Sequence, residues 1–193
     1  MQSIAVFCGS SLGADSALAL AAVTLGGLLA ERHIRLSYGG GNIGLMGKLA
    51  TAALGAGGLV TGVIPRFMMD KEIGKIELPD LRIVESMHER KALMNELADG
   101  FIALPGGFGT LEEFCEVLTW GQLGLHAKPL GLLNTGGVYD HFLAFLDHAT
   151  ARGLIKSKHR ALLLTAAEPA VLLDQMQAWK PLPAKKWITP ERT

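Results

Sequence analysis

Short, nearly continuous apolar runs alternate along this chain with segments of helical period. Ile4-Ala5-Val6-Phe7 is apolar throughout and stops at Gly9-Ser10-Ser11, as a strand buried on both faces does. Asp15 or Ser16 can cap the Ala/Leu-rich helix that follows. Ile34 to Tyr38 is the second strand, ended by Gly39-Gly40-Gly41, and a helix then fits Leu45 to Leu54, stopped by Gly55, Gly57 and Gly58. Leu59 to Ile64 is a third strand, closed by Pro65. Residues 66 to 80 have no clean period, as in a long loop or a short irregular helix, and long loops in compact α/β domains are more often functional than not.

The second half repeats the rhythm. Leu81 to Val84, Phe101 to Leu104, Pro129 to Leu133 and Leu162 to Thr165 read as strands. Met87 to Leu97, Val138 to Ala149 and Pro169 to Trp179 read as helices. Thr110 caps a further helix with Leu111, Phe114, Cys115 and Leu118 on one face. This order predicts an α/β fold: a mostly parallel sheet of about seven strands with helices on both faces. No linker or composition break divides it, so residues 1–193 are expected to form a single domain, with a loosely packed tail from about residue 180.

Composition narrows the function. The 18 Lys+Arg balance 18 Asp+Glu, which argues against a nucleic-acid or anionic-membrane partner. Mean hydropathy is +0.31 with 19% charged residues, high enough to suggest apolar surface that meets another subunit. The longest apolar run, Ala17 to Ala30, is short of the roughly 20 residues of a membrane span. Two cysteines, Cys8 and Cys115, make no disulfide framework. With no basic region after Met1, a cytoplasmic setting is expected. The six His residues include no H-x-x-x-H, so no metal site is evident.

Three strand ends carry Gly-rich turns: Cys8-Gly9-Ser10-Ser11, Gly39-Gly40-Gly41-Asn42-Ile43-Gly44 and Pro105-Gly106-Gly107-Phe108-Gly109-Thr110. Glycines often simply end strands, but three such turns on one rim would form an anion pocket of backbone amides. Residues 39–44 fit G-x-G-x-x-G, yet they follow the second strand and no acid lies in Leu59 to Pro65, which disfavours a dinucleotide. Thr110-Leu111-Glu112-Glu113 has capping-box spacing. Glu113 could complete that cap, face a bound sugar, or do both. Glu112 and Glu116, one turn apart, would line a solvated or interface side. Arg90-Lys91 opens a helix, where cations oppose the macrodipole; they are either ordinary surface cations or partners for an anion. Met46, Met94 and Trp120 are either plain core or an apolar slot.

Pro105-Gly106-Gly107-Phe108-Gly109-Thr110-Leu111-Glu112-Glu113 resembles the PGGxGTxxE signature of the LOG ("Lonely guy") phosphoribohydrolases. The resemblance extends to Cys8 to Ser11, Tyr38 to Gly47 and Met87 to Lys91. It implies a Rossmann-like fold and a homodimer with its site near the subunit interface. The implied reaction cleaves adenosine-type nucleoside 5′-monophosphates to free base and ribose 5-phosphate, without metal or other cofactor. By the same resemblance Arg90 and Glu113 are catalytic. Glu72, Lys91, Gly106, Gly107, Phe108, Gly109, Thr110, Leu111, Glu112 and Thr119 are substrate contacts. Ser10, Gly40, Gly41, Asn42 and Met46 are added from the glycine turns and the slot beside them. Phe108 stands where the plant signature often has tyrosine, and the surroundings of Glu72 depart from the commoner pattern. The rival reading is a non-catalytic carrier of a nucleotide or other phosphate ligand, which would share the fold and the glycine rim.

Overall fold

The computed structural model describes residues 1–69 and 78–181. Seven parallel strands form one sheet in the order β4-β3-β2-β1-β5-β6-β7. They are β1 (Ser3–Phe7), β2 (Arg35–Tyr38), β3 (Val60–Pro65), β4 (Asp80–Val84), β5 (Phe101–Ala103), β6 (Leu130–Leu133) and β7 (Leu163–Ala166). The helices are α1 (Ser16–Glu31), α2 (Gly44–Gly55), α3 (Met87–Leu97), α4 (Phe108–Leu123), α5 (Asp140–Ala151), the short α6 (Ser157–Arg160) and α7 (Pro169–Ala178). Strands and most helices fall within a residue or two of the boundaries expected from the apolar runs. Asp15 caps α1 by accepting from the Ala17 amide at 2.8 Å, and Pro169 opens α7, both as the sequence indicates.

The central strands are buried on both faces because two apolar layers flank the sheet, whereas the edge strands β4 and β7 are only partly covered. On one side α1, α2 and α7 bring Leu25, Leu29, Leu49 and Leu172 against Ile4, Leu36 and Tyr38. On the other α3, α4 and α5 bring Met94, Phe114 and Leu146 against Ala5, Phe101 and Val63. Met94 is thus plain core, and Trp120 packs against the same cluster, so the alternative of an apolar slot fails for both. Gly26 lets α1 and α2 touch: a Cβ there would overlap the Leu49 carbonyl and sit 3.0 Å from Ala52 Cβ.

The first four strands run outward in one direction from β1, and the chain then crosses back to place β5 on the other side of β1. The crevice at the carboxyl ends of β1 and β5 is therefore the sheet's topological switch point, where ligands of open α/β sheets bind. The Gly-rich turns after β1, β2 and β5 meet there. Gly9 N donates to the Pro105 carbonyl at 3.1 Å, and Leu45 N donates to the Gly9 carbonyl at 3.0 Å.

At the opposite rim, His126 Nε2 lies 2.8 Å from the Val117 carbonyl. Burial lowers its pKa; the hydrogen bond to Val117 opposes this and nearby Lys128 reinforces it. A histidine with a folded pKa below its unfolded value of about 6.5 binds fewer protons when folded. Its contribution to stability is complete above about pH 6.5 and is lost as the pH falls toward the folded value. The thermal midpoint should fall between pH 7.5 and 5.5, and less steeply in His126→Gln. Equal slopes in the two proteins would remove His126 from that dependence.

Candidate active site

A cavity of about 270 Å³ lies at the switch point, lined by Cys8, Gly9, Ser10, Met46, Met68, Met87, Arg90, Gly107, Phe108, Gly109, Thr110, Glu112 and Glu113. One wall is the N-terminus of α4. Gly107 is its N-cap, and among the described residues no side chain caps it, so its first turn meets the cavity without a side-chain cap, the usual geometry of an anion site. Thr110 is therefore a first-turn residue and not the cap expected from its T-x-x-E spacing. The helix starts two residues earlier, at Phe108, because glycine supplies a backbone-only cap. The capping-box reading of Glu113 falls with it.

Glu113 instead meets Arg90. Arg90 Nη2 lies 3.1 Å from Glu113 Oε1, with side chains 7% and 9% exposed. Ser86, the N-cap of α3, accepts from the Glu89 amide; this starts the helix so that Arg90 projects one turn in, over the glycine turn after β2. A Cβ on Gly39 would overlap Arg90 Nη2. Gly39 thus serves the site by making room for the guanidinium. Arg90 Nη1 is 3.9 Å from both Met68 Sδ and Met87 Sδ. Its buried Nε has no hydrogen-bond partner among the described residues.

The other expected residues divide by position. Ser10 and Met46 line the cavity. Gly40 and Gly41 are buried, Gly40 with φ +77° and packed toward Ile64 and Leu81. Asn42 lines a separate open cleft of about 500 Å³ with Leu12, Val23 and Lys48. Gly40, Gly41 and Asn42 are thus not among the residues that line this cavity, and the turn after β2 is seen supporting Arg90 and the chain packing. Gly106 sits behind the lining, against Thr110. Leu111 packs on the core. Thr119 is exposed, donates to the Cys115 carbonyl at 2.7 Å, and is not brought to this cavity. Glu72 lies outside the described residues, as does most of the tail expected after residue 180. Lys91 and Glu116 hold each other: Lys91 Nζ donates to Glu112 Oε1 at 2.6 Å and to Glu116 Oε1 at 3.1 Å. Of the solvated or interface side expected for Glu112 and Glu116, the structure shows an ion-paired contact between helices, with Glu112 still 55% exposed.

Sequence reasoning missed Met68 and Met87, which follow the carboxyl ends of β3 and β4 and so reach the binding rim. It also missed Tyr139, whose buried hydroxyl donates to the Leu104 carbonyl at 2.6 Å and steadies the strand end before Pro105. Burial pushes the Cys8 thiol pKa up; the Glu113 carboxylate adds to this and Arg90 opposes it. Cys8 is thus a neutral thiol and not a nucleophile. Among the described residues no three His, Cys, Asp or Glu side chains gather as metal ligands.

A Cβ on Gly106 would overlap the Thr110 side chain and approach Gly9 N to 3.0 Å. Gly106→Ala must shift the first turn of α4, and a displacement near 1 Å costs roughly 100-fold in rate. The thermal midpoint should fall with it, whereas Gly107→Ala, whose Cβ meets open space, keeps its midpoint. An undisturbed midpoint in Gly106→Ala would show that the turn has slack.

The family pattern described as "Possible lysine decarboxylase" matches residues 46–176. A probable cytokinin riboside 5′-monophosphate phosphoribohydrolase of Oryza sativa subsp. japonica is 49% identical over 93% of this chain and 79% of its own length. A cytokinin riboside 5′-monophosphate phosphoribohydrolase of Arabidopsis thaliana is 48% identical over 93% and 78%. Among solved structures, the molybdenum cofactor carrier protein of Chlamydomonas reinhardtii superposes with a TM-score of 0.66 at 22% identity, covering 92% of this chain and 98% of that one. The molybdenum cofactor binding protein of Rippkaea orientalis gives 0.68 at 23%, covering 91% and 95%. At that identity the carriers share the fold, and nothing about ligand follows. Among the described residues no lysine lines the cavity. The chain belongs to the LOG family, that of the cytokinin riboside 5′-monophosphate phosphoribohydrolases.

Proposed function

We propose that this protein hydrolyses the N-glycosidic bond of adenosine-type nucleoside 5′-monophosphates, cytokinin riboside 5′-monophosphates and AMP among them. The products are the free base and ribose 5-phosphate. The observation that carries the reading is the buried Arg90–Glu113 pair facing a cavity whose other wall is an uncapped helix N-terminus. Breaking a ribosyl C–N bond builds positive charge on the sugar and negative charge on the departing base. The free amides of α4 at Gly107, Phe108, Gly109 and Thr110 anchor the 5′-phosphate. Glu113, on the next turn, then lies beside the anomeric carbon, where its carboxylate stabilises the oxocarbenium-like sugar and orients the attacking water. Arg90 holds that carboxylate in place through Nη2 and lines the same cavity as the nucleotide. Water adds its oxygen to the anomeric carbon, and the base leaves with the C–N electron pair and a proton. A mere carrier has no use for a carboxylate in that place.

Two finer features belong to the same proposal. The protein acts as a homodimer with the cavity near the interface: Phe108 is 93% exposed at the cavity mouth, an aromatic that a second subunit or the nucleotide would cover. The setting is cytoplasmic, in keeping with the unpaired Cys8 and Cys115. The phosphate anchor is tested by comparing base release from AMP and from isopentenyladenosine 5′-monophosphate with release from the matching nucleosides. Release from the nucleotides alone is expected, and the ratio of their rates identifies the preferred base. Equal release from the nucleosides would remove the phosphate from recognition. Sedimentation at working concentration reads the dimer directly.

A further inference from the structure

Pairing of β5 with β1 and β6 ends at Ala103, and Pro105 has no N–H to offer. The Leu104 carbonyl and the Gly106 amide therefore need partners from outside the sheet, since backbone groups left unpaired inside a fold are costly. One side chain supplies both. Tyr139 Oη donates to the Leu104 carbonyl at 2.6 Å, and the Gly106 amide hydrogen-bonds to the same oxygen. Burial holds the Tyr139 pKa above the ordinary tyrosine value; nearby Cys8 adds to this and the Gly106 amide opposes it. The hydroxyl therefore keeps its proton for Leu104.

That hydroxyl is itself held in place. Tyr139 is 3% exposed, its ring meets Phe142 edge-on with centroids 6.3 Å apart, and its amide donates to Asn134 Oδ1 at 2.7 Å. Asn134 follows β6, and its own amide donates to the Ala166 carbonyl of β7 at 2.8 Å. The turn from Leu104 to Gly106 is thus tied on one side to the end of β1, where Gly9 N meets the Pro105 carbonyl at 3.1 Å. On the other side Tyr139 ties it to the ends of β6 and β7. Gly107, the N-cap of α4, comes next, so both ties set where the first amides of α4 lie at the cavity. Tyr139 is not among the residues lining that cavity. We infer that Tyr139 is a positioning residue for phosphate recognition: its hydroxyl splints the turn from behind and holds the α4 N-terminus in the orientation that receives the 5′-phosphate. The inference rests on the hydrolase reading above and its phosphate anchor, and extends them to a residue outside both the signature and the cavity.

Tyr139→Phe keeps the ring and removes both hydrogen bonds. KM for the nucleotide that the wild-type protein cleaves should rise about 10-fold with kcat within about 3-fold, the signature of binding lost equally in the ground state and the transition state. By calorimetry the variant should bind AMP and ribose 5-phosphate about 10-fold more weakly, and adenine, which has no phosphate, within about 2-fold of wild type. A merely loosened fold would not separate these ligands. Wild-type affinity for AMP in Tyr139→Phe would overturn the inference. So would an equal loss for adenine, since the hydroxyl would then support the whole cavity and not its phosphate end. Should the wild-type protein cleave no nucleotide, the hydrolase reading fails separately, and the binding comparison still decides on Tyr139. If Tyr139→Phe does not fold, Asn134→Ala decides, because it frees the Tyr139 amide and leaves the hydroxyl. Selective loss of AMP binding there supports the splint, and wild-type AMP affinity refutes it.

Discussion

Glu113→Gln should lower base release by about 100- to 1000-fold while nucleotide binding persists, the usual penalty for removing one well-placed electrostatic group. The substitution keeps the local shape, although neutralising one partner of the buried ion pair also lowers stability. Glutamine keeps the size of the side chain and an oxygen that can still accept from Arg90 Nη2, now 3.1 Å from Glu113 Oε1. The phosphate anchor proposed for α4 is untouched, so KM should move little. What disappears is the negative charge beside the anomeric carbon. Single-turnover release of base, with nucleotide binding measured in parallel by calorimetry, separates the two. Near-wild-type turnover in Glu113→Gln would take the carboxylate out of the mechanism.

Arg90→Ala should damage the fold as well as the activity. Side chains at a solvated rim could be replaced with the fold intact. The pair is instead buried, and removing one partner of a buried ion pair costs about 3–5 kcal/mol. At about 2–4 °C per kcal/mol for a domain of this size, the thermal midpoint should drop by roughly 6–20 °C. Replacing both partners by apolar residues of similar volume is often neutral or stabilising. Arg90→Met/Glu113→Leu should therefore recover most of the lost midpoint while remaining inactive. That result would show the charges retained for chemistry and not for stability. A double variant as unstable as the single one would contradict this account of the pair.

The strands were legible because burial on both faces leaves runs such as Ile4 to Phe7 with no polar position to blur them. The Gly-rich rim was legible for a similar reason, since strand ends at a switch point need close backbone approach. What each glycine does was not. Gly39 clears space for an arginine 51 residues later in the chain, and no local pattern announces such a contact. The start of α4 was misplaced because a glycine N-cap leaves no side-chain signal, whereas Thr110 and Glu113 imitate a capping box. Arg90 and Glu113 stood out singly, but their pairing depends on α3 and α4 lying together on one face of the sheet. The same packing hides the engagement of Lys91 by Glu112 and Glu116. Met68, Met87 and Tyr139 reach the site only through the order of the strands.

The central claim is that this cavity breaks a C–N bond. The most direct test incubates the purified protein with AMP and with isopentenyladenosine 5′-monophosphate and quantifies every product by chromatography. The account predicts free base and ribose 5-phosphate in equal amounts, with neither nucleoside nor inorganic phosphate formed. Nucleotide bound tightly but recovered intact, or nucleoside released with phosphate, would contradict it.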